Sequence, residues 1–262
     1  MFALAILSIC AYLGSALLML RHLNRPKPAH MPTYLAWIAV SIHSVHTFMD
    51  FQQNQSFNFS FFSTAALVAL IVALLLLIAA LNKPVEKLGI VIFPVAALML
   101  SLNIYFADNS PPLSAHNWAM TTHILTSIIA FSLLNIAALQ ALLLAIQDQQ
   151  LKSHPPKRLI QSLPSLQAME SLLFQILATG LAFLTISLLS GFLFIEDLFA
   201  QHLVHKTVLS LMAWVIFSGL LTGRCCYGWR GQTAIRWTLT GFVLLLLAYF
   251  GSKFVLELVL HR

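Results

Sequence analysis

Eight long apolar stretches dominate the chain, and short polar segments separate them. They cover about residues 1–20, 33–50, 59–81, 88–106, 119–146, 172–198, 207–223 and 237–258. At 1.5 Å per helical residue, stretches of this length cross the ~30 Å of hydrocarbon in a bilayer. In lipid every backbone group must be paired internally, so these stretches are helices rather than strands. The pattern predicts an all-α integral membrane bundle of about eight transmembrane helices, forming a single domain over 1–262.

The composition agrees with a membrane protein and excludes a soluble domain. Hydrophobic residues make up 60% of the chain and charged residues only 8%, whereas soluble proteins carry about 25% charged residues. The net charge of +6 comes without a basic stripe or nucleic-acid motif, so we expect no nucleic-acid partner. The first apolar stretch lacks a basic segment before it and a cleavage site after it, which predicts a retained helix rather than a signal peptide.

The basic residues predict the topology. All but three of the 14 lysines and arginines lie in four alternate polar segments, at 21–32, 82–87, 147–171 and 224–236. The positive-inside rule places these segments in the cytoplasm, and an even number of spans then places both termini on the outer, periplasmic side. Within the longest segment, residues 163–173 alternate at helical spacing, which fits either a short interfacial helix or an extended linker.

Histidine is the unusual residue of this chain, with ten histidines against eight acidic residues. The sequence shows no nucleophile–base pair, phosphate loop or zinc signature, and we expect no catalysis. Three histidines lie beside basic residues in the cytoplasmic segments and are interpreted as solvated. The other seven fall in the outer half of the bundle or in outer segments: His43, His46, His116, His123, His202, His205 and His261.

Two of these histidines lie at similar depth on different helices. His43 is seven residues before Asp50 at the outer end of helix 2, about 10 Å down, and His123 is about 7–8 Å into helix 5. Facing imidazoles in a bundle can supply both axial ligands of a non-covalent b-type haem. His46 shares a helix face with His43 and is the alternative ligand. A second interpretation stays open, in which these imidazoles only hydrogen-bond neighbouring helices.

Three further residues are candidates for contact with haem nearer the outer surface. His202 and His205 are three residues apart at the entrance to helix 7, where they either contact haem or form a solvated pair. Lys253 lies near the outer end of helix 8. Its side chain either extends to the interface or pairs with a haem propionate.

Several short motifs resemble those of one family. Residues 123–131 resemble a helix that begins with a histidine, and residues 163–166 resemble an L-P-x-L linker. Gly228 to Ala234 resemble a G-W-R-G-x-x-A loop, and Tyr249 to Gly251 resemble a Y-x-G helix. Together they resemble the cytochrome c assembly family of CcsA, CcmC and HemX-like proteins, most clearly over 120–255. The chain is most similar to the YpjD-like branch, which consists of small inner-membrane proteins of Gram-negative bacteria.

The resemblance implies a multi-pass protein of the bacterial inner membrane that handles haem at its outer face. It matches His123 to the family's helix-leading histidine and His43 to a helix 2 histidine of the YpjD-like branch. CcsA and CcmC cradle haem in a tryptophan-rich WWD segment, but the corresponding residues 200–207 contain no tryptophan. Direct delivery of haem to apocytochrome c is therefore left open, and the HemX-like link to control of haem synthesis offers a regulatory role.

The predicted function is haem binding or handling linked to cytochrome c assembly, with bis-histidine ligation in the outer half of the bundle. The alternative is a non-haem accessory or regulatory protein that modulates a partner, such as a transporter or a haem-synthesis enzyme. Its basic segments 147–171 and 224–236 would then be the contact surface. The expected partners are membrane lipid and an apocytochrome or another membrane protein.

Overall fold

The computed structural model describes residues 2–22, 30–54, 60–106, 118–152, 164–194 and 204–251. Every regular element in these ranges is helical, which confirms the all-α prediction. The long helices of this described part are α1 (Phe2–Arg21), α2 (His30–Asn54), α3 (Phe61–Ala80), α4 (Gly89–Tyr105), α5 (Trp118–Lys152), α6 (Leu166–Phe194), α7 (Val204–Tyr227) and α8 (Gln232–Leu246). A 3₁₀ turn at Glu86–Leu88 precedes α4, and a π-helical turn at Leu247–Gly251 continues α8.

Seven helical segments of the described ranges are long and apolar enough to cross a membrane. They contain α1 and α3 to α8. Helix α2 is also long enough, at 25 residues, but its second half carries His43, Ser44, His46 and Thr47, which lower its apolar character. The prediction of about eight transmembrane helices is confirmed, and the side of the membrane that each terminus meets stays a prediction.

The chain divides into two compact units. The first comprises Met1–Ala115 with Lys157–Leu163, and the second comprises His116–Pro156 with Pro164–Arg262. The first unit holds α1 to α4, and the second holds α5 to α8. The expectation of a single domain over 1–262 stays a prediction.

In the first unit, small hydroxyl side chains join α1 to α2. The hydroxyl of Ser8 donates to the carbonyl of Ala39 at 2.9 Å, and that of Ser15 donates to the carbonyl of Pro32 at 2.7 Å. Helix α4 also packs on α1, where the fully buried Tyr12 contacts Phe93. In lipid, the hydrophobic effect does not drive helices together, and hydrogen bonds between helices stabilise their association instead. These serines therefore hold the α1–α2 pair together.

In the second unit, α5 forms its longest interface with α6 and also packs on α8. Gly180 of α6 allows a close approach, since a Cβ atom there would lie 2.9 Å from Cγ of Leu134 on α5. Small residues let helix backbones approach one another in membranes. The α5–α6 pair is therefore the frame on which the side chains of this unit are held.

The ends of α5 and α6 differ from the expectation for the basic segment between them. Helix α5 continues to Lys152, whose ammonium group pairs with Asp148 at 2.8 Å. Gln147 donates to the carbonyl of Pro164 at 2.9 Å, just before α6 begins at Leu166. Residues 166–173 are thus the first turns of α6, and neither a separate interfacial helix nor an extended linker is correct for them.

Candidate functional site

His123 is held on α5 by acceptors from α6. Its Nδ1 atom lies 2.8 Å from the carbonyl oxygen of Ser187 and 3.3 Å from Oγ of Ser190. A carbonyl oxygen only accepts, so Nδ1 carries the proton and donates it there. The other ring nitrogen, Nε2, then keeps its lone pair, which is the form of histidine that binds metals.

A glycine of α6 makes room for this imidazole. A Cβ atom at Gly191 would lie 3.0 Å from Cε1 and 3.2 Å from Nδ1 of His123. Even an alanine would therefore press on the ring. Ser190 and Gly191 therefore act together, because one residue supplies an oxygen to the imidazole and the next supplies the space for it.

A serine cluster, formed by Ser127, Ser187 and Ser190, surrounds the backbone next to His123. The hydroxyl of Ser127 donates to the carbonyl of His123 at 2.6 Å and shares a short hydrogen bond with the Ser187 hydroxyl. The hydroxyl of Ser190 donates to the carbonyl of Ser187 at 2.9 Å. Ser187 and Ser190 are buried, so α5 and α6 are joined by a polar network inside an apolar bundle.

Aromatic rings close the inner side of this cluster. Phe131, one turn beyond Ser127 on α5, is 1% exposed and stacks on Tyr249 with ring centroids 4.6 Å apart. Tyr249 comes from the π-helical turn that continues α8. Its hydroxyl is buried and lies within hydrogen-bonding reach of Ser127. We call these side chains, together with the serine cluster, Gly191 and His123, the His123 site.

His43 has a different environment in the first unit. It is 1% exposed, and its Nδ1 atom lies 3.3 Å from the hydroxyl of Tyr12. Tyr12 in turn stacks on Phe93 with ring centroids 5.9 Å apart. A phenol both donates and accepts, so this contact fits either tautomer of His43. Tyr12 could not be selected from the sequence, because a tyrosine in an apolar span resembles any other packing residue.

The remaining predicted site residues are more scattered. His46 is half-buried on α2, and His205 is exposed on the first turn of α7. His202 and Lys253, like His116 and His261, lie outside the described residues. His43 belongs to the first unit and His123 to the second, and their joint ligation of one haem stays a prediction.

A charged cluster at the start of α6 was missed from the sequence. Glu170 is 7% exposed, and its carboxylate accepts a hydrogen bond from Nη1 of Arg224 at 2.8 Å and forms an ion pair with Nε of Arg230 at 3.2 Å. It also accepts from the backbone N–H of Gly231 at 3.3 Å. A signal was present in the sequence, since Glu170 is a carboxylate at the start of an apolar span in a chain with few acidic residues.

Glu170 organises the G-W-R-G segment between α7 and α8. Arg224 donates a second hydrogen bond to the carbonyl of Trp229 at 3.2 Å. The indole of Trp229 packs against the bare Cα of Gly223 and lies 4.9 Å from the ring of Trp237. Gly231 has a φ of 54° and begins α8, a backbone conformation that favours glycine. The G-W-R-G motif is therefore a rigid turn, and the carboxylate of Glu170 holds it through Arg224, Arg230 and Gly231.

The donor set suits haem better than a bare metal ion. Within the described ranges, no three histidine, cysteine, aspartate or glutamate side chains lie together as a metal site. Haem iron already has four porphyrin nitrogens and needs only one or two axial ligands from the protein. His123 matches that need as a single histidine. Its Nδ1 donates to a carbonyl, Gly191 leaves space for its ring, and aromatic rings lie on the same part of α5.

The family model described as Cytochrome C assembly protein matches residues 29–260. The chain belongs to the cytochrome c assembly protein family. It is 33% identical over 204 residues to the inner membrane protein YpjD of Escherichia coli K12, covering 77% of this chain and 76% of YpjD. It is 29% identical over 183 residues to the cytochrome c biogenesis protein CcsA of Chlamydomonas reinhardtii, covering 66% of this chain and 50% of CcsA.

A third relative is an uncharacterized 28.8 kDa protein of Azospirillum brasilense, 36% identical over 140 residues, with 53% of this chain and 52% of that protein covered. No solved structure matches the chain. The similarity to YpjD and the apolar helices make this family member a multi-pass inner membrane protein. Its membership supports a role in cytochrome c biogenesis.

Proposed function

We propose that this protein binds haem non-covalently within its helical bundle as part of cytochrome c biogenesis, and that it acts by binding rather than by catalysis. His123 would hold the haem iron, and His43 is the second ligand that the sequence predicts. The observation that carries the proposal is the hydrogen bond from Nδ1 of His123 to the Ser187 carbonyl at 2.8 Å, because in the neutral imidazole it leaves the Nε2 lone pair for a metal.

The residues of the His123 site have separate tasks in this proposal. Bound haem supplies an iron that accepts histidine nitrogens as axial ligands. The Ser187 carbonyl and Ser190 hydroxyl orient the imidazole, Gly191 leaves space for it, and the Ser127–Ser187 hydrogen bond joins α5 to α6. Phe131 and Tyr249 provide a buried aromatic wall that excludes water from the inner side.

The test is the absorption spectrum of the detergent-purified protein, oxidised and reduced, from cells supplied with a haem precursor. Haem stoichiometry is measured as the pyridine haemochrome. We expect a sharp Soret band with split α and β bands on reduction and about one haem per chain, as two histidine ligands require. A colourless protein that also fails to take up added hemin contradicts the proposal.

Single substitutions then assign the ligands. We expect His123→Ala to lose most of the bound haem, and His43→Ala to lose the split bands or the haem itself. His30→Ala is the control, since His30 is exposed at the start of α2 and is not a candidate for haem contact. Full occupancy and an unchanged spectrum in His123→Ala would remove His123 from the site, whatever the other variants show.

The second candidate function is an accessory protein that binds no haem and modulates a membrane partner. The rigid G-W-R-G turn favours it, because Tyr227 is 78% exposed and the side chain of Arg230 is 58% exposed on a segment that Glu170 holds in place. A preformed basic and aromatic surface is suited to a protein partner. Co-purification of one defined partner with a colourless protein, lost in Arg230→Ala, supports this candidate over the first.

A further inference from the structure

The charged residues of the second unit are gathered at one end of its helices. Seven lysine, arginine, aspartate and glutamate residues fall in the described ranges of that unit, and all except Lys206 lie near the end of α5, the start of α6 or the connection between α7 and α8. These six are Asp148, Lys152, Glu170, Arg224, Arg230 and Arg236. Four are cations, so two positive charges remain after both carboxylates are matched. We call the four cations, Lys152, Arg224, Arg230 and Arg236, the basic patch.

Hydrogen bonds bring the end of α5 to the start of α8. One carboxylate oxygen of Asp148 accepts from Nζ of Lys152 at 2.8 Å and from Nε2 of Gln232 at 2.7 Å. Gln232 directly follows Gly231, whose backbone N–H donates to Glu170 at 3.3 Å. Lys152 therefore lies beside the start of α8, next to the arginines that Glu170 holds, and the basic patch is continuous across three helices.

The basic patch presents donors that the protein leaves unused. Arg230 pairs with Glu170 through Nε and is 58% exposed, and within the described part of the chain its two Nη groups make no hydrogen bond. The ammonium of Lys152 is also exposed and bonds one carboxylate with one of its three donors. Arg236 is exposed four residues after Gln232, on the same face of α8. An anchored guanidinium with both Nη groups outward is suited to the oxygens of a phosphate.

The connection between α7 and α8 lies at a membrane surface. Val204–Tyr227 and Gln232–Gly251 are each long and apolar enough to cross a membrane, and only residues 228–231 separate them. So short a turn stays near the level of the lipid headgroups. Tyr227 is exposed there and its ring stacks on Trp229 with centroids 6.3 Å apart, as is common for aromatic residues at the membrane interface.

We propose that the basic patch binds the phosphate group of an anionic phospholipid. Basic pockets between transmembrane helices at the membrane surface bind such headgroups. An anionic lipid fits better than a zwitterionic one, because Asp148 and Glu170 are already engaged by cations and neither is left to pair with a headgroup amine. The depth of the turn favours a lipid over the protein partner of the second candidate function. The inference does not rest on haem binding, since it uses other residues.

The experiment measures lipid binding to the full-length protein in detergent by native mass spectrometry. Phosphatidylglycerol is the anionic probe, and phosphatidylcholine with the same acyl chains is the zwitterionic one. Arg230→Gln and Arg236→Gln each remove one cation of the basic patch. Lys206→Gln is the matched control, because it removes the same charge at the opposite end of α7. Helical circular dichroism checks that each variant is folded.

We expect the wild-type protein to bind phosphatidylglycerol at least tenfold more tightly than phosphatidylcholine. Each arginine variant should lose about fivefold in affinity for phosphatidylglycerol, the usual effect of one basic residue near a lipid surface, and Lys206→Gln should bind it as the wild type does. Arg236 makes no ion pair with the described residues, so Arg236→Gln keeps the Glu170 cluster intact and decides the matter if Arg230→Gln fails to fold.

Several results overturn the inference. Equal binding of the two lipids by the wild type, unchanged affinity in either folded arginine variant, or an equal loss in Lys206→Gln would each mean that the basic patch is not a lipid site. Displacement of phosphatidylglycerol by inorganic phosphate at constant ionic strength would assign the patch to a soluble anion. A co-purifying protein that phosphatidylglycerol does not displace would assign it to a protein partner.

Discussion

Replacement of Glu170 by glutamine removes the negative charge beneath the G-W-R-G turn and nearly preserves the shape of the side chain. Removing one partner of a fully buried ion pair costs about 3–5 kcal/mol. Here Arg224 is 26% exposed and Arg230 58% exposed, so solvent screens part of the loss. The amide also keeps only one acceptor oxygen for three donors. We therefore expect the free energy of unfolding to fall by about 2 kcal/mol.

The measurement is the apparent thermal midpoint in detergent, followed by the loss of helical circular dichroism. For chains of this size the expected fall is about 4–8 °C. Asp148→Asn is the control, because Asp148 also contacts the start of α8 through Gln232 at 2.7 Å, but its ion pair is with Lys152, which is 70% exposed. That variant should shift the midpoint by about 1 °C or less.

A double variant tests the cause of the loss. In Glu170→Gln with Arg224→Gln, no partly buried arginine is left at position 224 without its carboxylate, so the double variant should be more stable than the sum of the single losses predicts. Equal and small shifts in Glu170→Gln and Asp148→Asn would refute the reasoning, because they would mean that burial adds nothing to this ion cluster.

Two further substitutions probe the histidines. Gly191→Ala places a methyl group 3.0 Å from Cε1 of His123, so we expect the imidazole to shift and hemin affinity, measured by competition with apomyoglobin, to fall at least tenfold. Tyr12→Phe removes the phenol that contacts His43 and should lower the thermal midpoint by about 2–4 °C, the effect of losing about 1 kcal/mol.

Each has a control in its own unit. Gly180→Ala crowds Leu134 at 2.9 Å, so it should lower stability with little effect on hemin affinity, and an equal loss of affinity in both glycine variants argues against a specific role for Gly191. Tyr34→Phe changes an exposed tyrosine of α2, 64% exposed, and should leave the midpoint unchanged. A Tyr12→Phe midpoint equal to that of Tyr34→Phe means that the His43 contact does not stabilise the unit.

The positions of the helices could be predicted from the sequence because apolar runs have to cross lipid as helices. The ends were harder to predict, and the reason is local. Gln147, Asp148 and Lys152 resemble loop residues by polarity, yet they form hydrogen bonds that extend α5 beyond its apolar run. Polarity alone does not separate a membrane-exit turn of a helix from a linker.

The candidate site was predictable only in part. His123 is conspicuous as a histidine within an apolar span, but its partner Ser187 comes 64 positions later and resembles any small polar residue of a helix. Tyr249 and Phe131 meet only because α8 packs on α5. Spans that are apolar on all sides carry little information on helix rotation, so the sequence could nominate His123 without identifying its surroundings.

His123 and His43 differ in how easily a mutation can change their hydrogen-bond partners. The acceptor for Nδ1 of His123 is a peptide carbonyl, and no side-chain substitution at position 187 deletes it. The backbone of α6 therefore sets the tautomer of the neutral His123 imidazole. A mutation that changes the side chain at position 187 does not remove this hydrogen bond. His43 depends on one phenol, which a single codon change removes. Mutation can therefore change the hydrogen-bond partner of His43 over evolutionary time, while that of His123 is kept.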